Sequence, residues 1–197
     1  FVVASYGALL PVEILALPPR GCINVHPSLL PRHRGASPIV QSLLEGETRT
    51  GMTIIRMSAV LDAGEIILQE PVDVGEDEDA RTLTDRLAEL GGRMAVQTLD
   101  LIEAGQARQV GQDHAKATYC KKLKKEDGRI DWSRSAREIH DQVRALTIWP
   151  GSFTTRNGKI VKVLRTRMVE ADSDAPGKPG QIVNLRECFV RCGAGTL

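Results

Sequence analysis

Residues 22–26, Cys-Ile-Asn-Val-His, form a short apolar run closed by Pro27. A run of this length is the form taken by a strand buried on both faces of a parallel sheet. Two of its five side chains are nevertheless polar. Alternation along a strand puts Asn24 and His26 on one face and Val25 on the other, and Pro27 holds His26 in an extended conformation. Open α/β sheets bind their ligands at the carboxyl ends of their strands, where this polar pair sits. The chain is therefore constrained to a fold whose buried strand delivers an amide and an imidazole to one rim.

The surrounding pattern agrees. Residues 1–4 are a second apolar run, and Leu10 to Leu15 reads as a short helix begun by Pro11. Ser37-Pro38 opens another helix with a capping hydroxyl and a proline in the first turn, and Gly46 ends it. Residues 51–57 and 65–74 read as strands joined by the loop Ser58–Gly64. A long amphipathic helix follows at roughly 80–104, closed by Gly105. Strand–helix–strand order with short connections predicts an α/β domain over residues 1–104.

Residues 105–130 lack a clear period and carry Lys121-Lys122-Leu123-Lys124-Lys125, so they read as a linker. From 131 to 197 the pattern changes. A helix at about 135–147, capped by Ser133 or Ser135, precedes short β runs at 152–156, 160–169, 181–185 and 188–192. Asn157-Gly158 is a hairpin signal, and a helix followed by short antiparallel strands predicts a small barrel. Phe1-Val-Val opens directly on a strand, and the last residues stop where another would begin. The expectation is a piece of a longer chain, lacking an N-terminal part and the end of the C-terminal domain.

Composition excludes several classes. The hydrophobic fraction is 42%, ordinary for a globular core, and no apolar run approaches the roughly 18 residues of a membrane span. Of four cysteines only Cys188 and Cys192 hint at a pair, with no second Cys/His pair nearby to complete a zinc site. Cys120 and Cys188 read as ordinary apolar side chains. The chain reads as soluble, reduced and cytoplasmic. Its charge is uneven: fourteen Lys/Arg face six Asp/Glu between His114 and Glu170, against twelve and nineteen elsewhere. A basic half on an acidic one is a cue for a polyanionic partner.

The densest segment runs Asn24-Val-His26-Pro27-Ser28-Leu29-Leu30-Pro31, followed downstream by Leu61-Asp62-Ala63-Gly64. An amide, an imidazole and a carboxylate suit acyl transfer. The amide donates to a developing oxyanion, the imidazole handles a proton and the carboxylate orients it. These motifs resemble the signature of the folate-dependent formyltransferases. The resemblance implies a Rossmann-like sheet, 10-formyltetrahydrofolate as co-substrate, no metal, and Asn24, His26 and Asp62 as the catalytic residues. It also implies that Ser28, Leu29, Leu30 and Pro31 belong to the folate-binding segment. Tyr6-Gly7-Ala8-Leu9-Leu10-Pro11 matches the loop beside the pterin, with Tyr6, Gly7 and Leu9 as binding residues.

Thr118-Tyr119, the run Lys124 to Ser133 and Trp149-Pro150-Gly151 resemble the branch of that family acting on methionyl initiator tRNA. That branch implies an OB-like C-terminal barrel helping to hold tRNA, with Lys121, Lys122, Lys124 and Lys125 as candidate phosphate contacts. Other family members remain rivals: a formyltetrahydrofolate hydrolase or dehydrogenase domain, or a formyltransferase acting on sugar nucleotides or glycinamide ribonucleotide. A rival of another class is a non-catalytic RNA-binding module. His33, between Arg32 and Arg34, reads as exposed and without a role, and Trp132 and Trp149 read as packing anchors.

Overall fold

The computed structural model describes residues 1–169 and 176–197. In chain order its elements are β1 (Val2–Ala4), α1 (Val12–Ala16), β2 (Ile23–His26), β3 (Arg34–Gly35), α2 (Pro38–Leu44), β4 (Arg49–Arg56), β5 (Ile66–Asp73), α3 (Ala80–Glu103), β6 (Tyr119–Cys120), α4 (Ala136–Ala145), β7 (Ser152–Arg156), β8 (Lys159–Val163), β9 (Ile182–Asn184) and β10 (Phe189–Val190). They divide into two compact units. One holds Phe1–Ser42, Glu47–Glu76 and Thr82–Lys122, the other Leu43–Gly46, Asp77–Arg81 and Leu123–Leu197.

The first unit is built on a sheet in the order β1-β2-β4-β5. β1 and β2 are parallel, Val3 facing Asn24, while β4 is antiparallel to both β2 and β5. The sheet is thus mixed, as α/β sheets with antiparallel edges are. Cys22 and Ile23 are buried as their pattern demands, but Phe1 and Val2 are exposed. Residues 1–4 do pair in parallel; in the sheet β1 is an edge strand, covered by β2 on one side alone.

Helix α3 packs on this sheet. Leu83, Leu87, Leu90, Met94 and Thr98 are buried at spacings of three and four, one stripe of a helix. Each such apolar side chain contributes about 1.5–3 kcal/mol on burial, which decides the face the helix presents. At Gly91 the approach is so close that a methyl group would lie 2.8 Å from Val25 Cγ1 and 3.1 Å from Met52 Cε. Val25 therefore faces the helix, and alternation turns Asn24 and His26 to the opposite face.

The segment read as a linker divides between the units at Lys122. Before that point it is tied into the first unit: Val110 bridges Ile66 and β6 pairs in parallel with β3.

In the second unit α4 is capped by Ser135. Its hydroxyl accepts the Glu138 N–H at 3.2 Å, and the Glu138 carboxylate accepts the Ser135 N–H at 2.9 Å, a capping box. Ala136, Ile139 and Val143 pack with Ile130, Cys192 and Leu197, flanked by Trp132, Val163 and Met168. β7 and β8 form a hairpin turning on Asn157 and Gly158, whose φ values of 48° and 75° fit the turn that Asn-Gly favours. β9 and β10 form a second antiparallel pair. The small β domain is present, with its strands in two separate pairs among the described residues. Trp132 is anchored by donation to Thr154 Oγ1 at 2.9 Å. Trp149 instead is 51% exposed, because it sits on the turn that the Gly151 N–H closes on to the Leu146 carbonyl. No helix among the described residues is long and apolar enough to cross a membrane.

Candidate active site

The two polar residues of β2 meet the carboxylate of the β4–β5 loop. Asn24 Nδ2 donates to Asp62 Oδ1 at 3.3 Å, and His26 Nδ1 lies 3.7 Å from Asp62 Oδ2. The Gly35 N–H donates to Asp62 Oδ2 at 2.8 Å, so two strands, β2 and β3, converge on one carboxylate. The loop reaches this position through tight backbone. Asp62 has φ 49°, a left-handed conformation that aspartate tolerates better than most residues. Gly64 lies against the Arg56 carbonyl, where any side chain would collide.

His26 is 3% exposed. Its Nε2 lies 3.0 Å from the His33 carbonyl. A carbonyl only accepts, so Nε2 carries the proton and, in the neutral ring, Nδ1 is bare and faces Asp62. Burial pushes the imidazole below its ordinary pKa, while Asp62 and the His33 carbonyl pull it upward against that effect. The net shift is downward, which favours the neutral ring with Nδ1 unprotonated.

Beside Asn24 and Asp62 lies a groove of about 50 Å³, lined also by Val3, Tyr6, Leu9, Leu10 and Leu61. Tyr6 and Leu9 therefore stand with two of the three candidate catalytic residues, and Gly7 lies between them in the chain. Ser28, Leu29, Leu30 and Pro31 do not line this groove. Ser28 is buried, with its hydroxyl donated to the Arg32 carbonyl at 2.7 Å, and the Leu30 N–H donates to Thr53 Oγ1 at 3.2 Å. Lys121, Lys122, Lys124 and Lys125 are exposed.

His33 is buried, not exposed. Its ring pairs with Glu47 at 3.1 Å, its N–H donates to Thr118 Oγ1 at 2.8 Å, and its carbonyl is the His26 partner. The flanking arginines misled because Arg34 is itself buried. Sequence reasoning also missed Gln112, which joins Arg34 to the Asp62 loop; only its place within an otherwise featureless polar stretch marks it. Cys120 is buried against the His33 and Arg34 carbonyls, whereas Cys188 is exposed.

The second unit holds a cavity of about 1570 Å³. Trp132, Ile182 and Phe189 give it apolar walls, and Arg129, Arg156, Lys162, Arg165 and Arg167 line it as well.

A family model described as Formyl transferase matches residues 1–99, and one described as Formyl transferase, C-terminal domain, matches residues 122–197. The chain is 49% identical to a methionyl-tRNA formyltransferase of Anaeromyxobacter sp. (strain K), over 99% of this chain and 63% of that protein. Identity to the methionyl-tRNA formyltransferase of Geobacter sulfurreducens is 43%, over 100% of this chain and 61% of that protein. The chain thus spans less than two thirds of the length of these relatives. Among solved structures, an N-formyltransferase from Helicobacter canadensis, in complex with folinic acid and dTDP-3-aminofucose, shares the fold. Its TM-score is 0.72 at 19% identity, over 88% of this chain and 64% of that one.

Proposed function

The chain belongs to the formyl transferase family, and from that premise we propose that it is part of an enzyme formylating the amino group of methionine on initiator tRNA. The observation that carries this reading is the convergence of Asn24, His26 and Asp62 beside an apolar groove. The near relatives carry that activity in their names. 10-Formyltetrahydrofolate would supply the formyl group. Along the groove Tyr6, Leu9, Leu10 and Leu61 offer apolar contact, and Asn24 and Asp62 close it with polar groups. The folinic acid named with the Helicobacter canadensis structure is of that chemistry.

In the proposed mechanism Asn24 offers an amide hydrogen to the formyl oxygen where negative charge develops. His26 Nδ1 accepts the proton lost by the attacking amine and passes it toward the departing nitrogen. Asp62 stabilises the imidazolium while it lasts. Ser28–Pro31 then acts chiefly by seating the rim of the site, and Tyr6–Leu9 by contact with the folate. We assign catalysis to residues 1–104 together with the part of 105–130 that is tied into the first unit, connection to the remainder of 105–130, and tRNA support to the OB-like part from 131. The cations of the second-unit cavity, and separately Lys121, Lys122, Lys124 and Lys125, are the candidate phosphate contacts. Such contacts are sequence-blind and salt-sensitive. A cytoplasmic location follows from charged tRNA as substrate.

The test offers the full-length protein 10-formyltetrahydrofolate with methionyl initiator tRNA, an aminosugar nucleotide, or no acceptor. Formyl transfer to the tRNA alone is expected. Transfer to the sugar, or hydrolysis without an acceptor, would overturn the assignment of substrate.

A further inference from the structure

Gln112 belongs to none of the motifs above. It lies in the stretch read as a linker, roughly fifty residues beyond the loop it touches, yet it is almost fully buried. Its Nε2 donates to the Asp62 carbonyl at 2.8 Å and to the Gly64 carbonyl at 2.7 Å. Its Oε1 accepts from Arg34 Nε at 3.1 Å and Arg34 Nη2 at 2.6 Å. A primary amide has two hydrogens and one oxygen, and all are used.

The orientation of this amide is forced. Arg34 can only donate, and the two loop carbonyls can only accept. Turning the amide over would set N–H against N–H and oxygen against two oxygens. Arg34 is held in turn: it is 1% exposed, lies 3.1 Å from His114 Nδ1 and donates to Tyr119 Oη at 3.3 Å. Arg34 is also the first residue of β3, whose next N–H, from Gly35, donates to the Asp62 carboxylate. The same strand thus supports Asp62 at its side chain directly and at its backbone through Gln112.

Resting on the formyl-transfer reading, we propose that Gln112 is a positioning residue of the reaction. It ties the loop on both sides of Ala63, and Arg34 keeps it in the one orientation able to do so. No other side chain among the described hydrogen bonds reaches both carbonyls. The left-handed Asp62 backbone is a conformation that persists only where its surroundings over-determine it. A reacting group displaced by about 1 Å can cost about a hundredfold in rate.

The test uses the full-length protein with Gln112→Met, which keeps the volume and removes every hydrogen bond, and Gln112→Glu. The latter gives Arg34 a carboxylate partner, which favours folding, but has no hydrogen to donate to the loop. Turnover is expected to fall about a hundredfold in both, with the folate Michaelis constant within about threefold of wild type. Nuclear magnetic resonance titration of His26 gives a readout independent of activity. His26 is faced by Asp62, His33 and Arg34. Of these Asp62 draws its pKa upward, so a displaced Asp62 lets His26 of Gln112→Met titrate at lower pH than wild type.

Turnover within threefold of wild type in either folded variant would overturn the proposal. So would a loss confined to folate affinity, or failure of both variants to fold, since each marks a merely structural role. If wild type itself transfers no formyl group, the functional reading fails by itself. The positioning of Asp62 then stands or falls on whether the His26 titration moves.

Discussion

The rim of β2 and the basic residues from Lys121 onward are held in opposite ways. At the rim, Asp62 is fixed through both carboxylate oxygens by Asn24 and Gly35 and through its carbonyl by Gln112. The lysines of residues 121–125 are exposed, and the strands carrying Arg156 and Lys162 form a simple hairpin. The difference fits the two roles proposed for them. Proton transfer and oxyanion stabilisation need groups held to within about 0.5 Å. Attraction of a phosphate backbone depends on charge density and tolerates loose placement.

The largest effect should come from breaking the rigid region through its backbone. Gly64→Val sets a branched side chain against the Arg56 carbonyl and must rebuild the Asp62 loop. We expect turnover to fall by about a hundredfold or more, with tRNA affinity little changed. A Gly64→Val enzyme of wild-type turnover would show that the loop needs no such constraint.

A smaller effect, acid loss of activity, sharpens the same contrast. His26 has a folded pKa below its unfolded value of about 6.5. Between those two values the unfolded chain binds more protons, so stability rises with pH across that window. In the proposed mechanism turnover requires the neutral ring, so it should fall about tenfold per unit once pH drops below the folded pKa. The acid limb of the rate profile should therefore lie below about 6.5. A limb above that value would contradict the burial-dominated site. Under the proposed reading, tRNA affinity should vary little over the same range.

The smallest effect belongs to the loose region. Replacing Lys121, Lys122, Lys124 and Lys125 together by Ala should raise the apparent tRNA constant and leave turnover alone. The log–log salt slope should fall by up to about 0.9 for each phosphate that no longer meets a lysine. An unchanged slope would mark these lysines as a solvated surface only.

Much of the fold was legible in the sequence because it is written in local periods. Alternation paired Asn24 with His26, the spacing of apolar residues gave the long helix α3, and Asn157-Gly158 announced its hairpin. What was not legible depends on partners far along the chain. His33 looked exposed between two arginines, but Glu47 and Thr118 bury it. Gln112 carried no periodic signal, since its meaning lies in carbonyls some fifty residues away.

The most direct measurement is single-turnover formyl transfer from 10-formyltetrahydrofolate to methionyl initiator tRNA, comparing wild-type full-length protein with Asn24→Ala and His26→Ala. Each variant should lose about a hundred- to thousandfold in rate, the range for removing one preorganised donor, while binding folate and tRNA within about threefold of wild type. A His26→Ala protein transferring formyl within threefold of the wild-type rate would contradict the account.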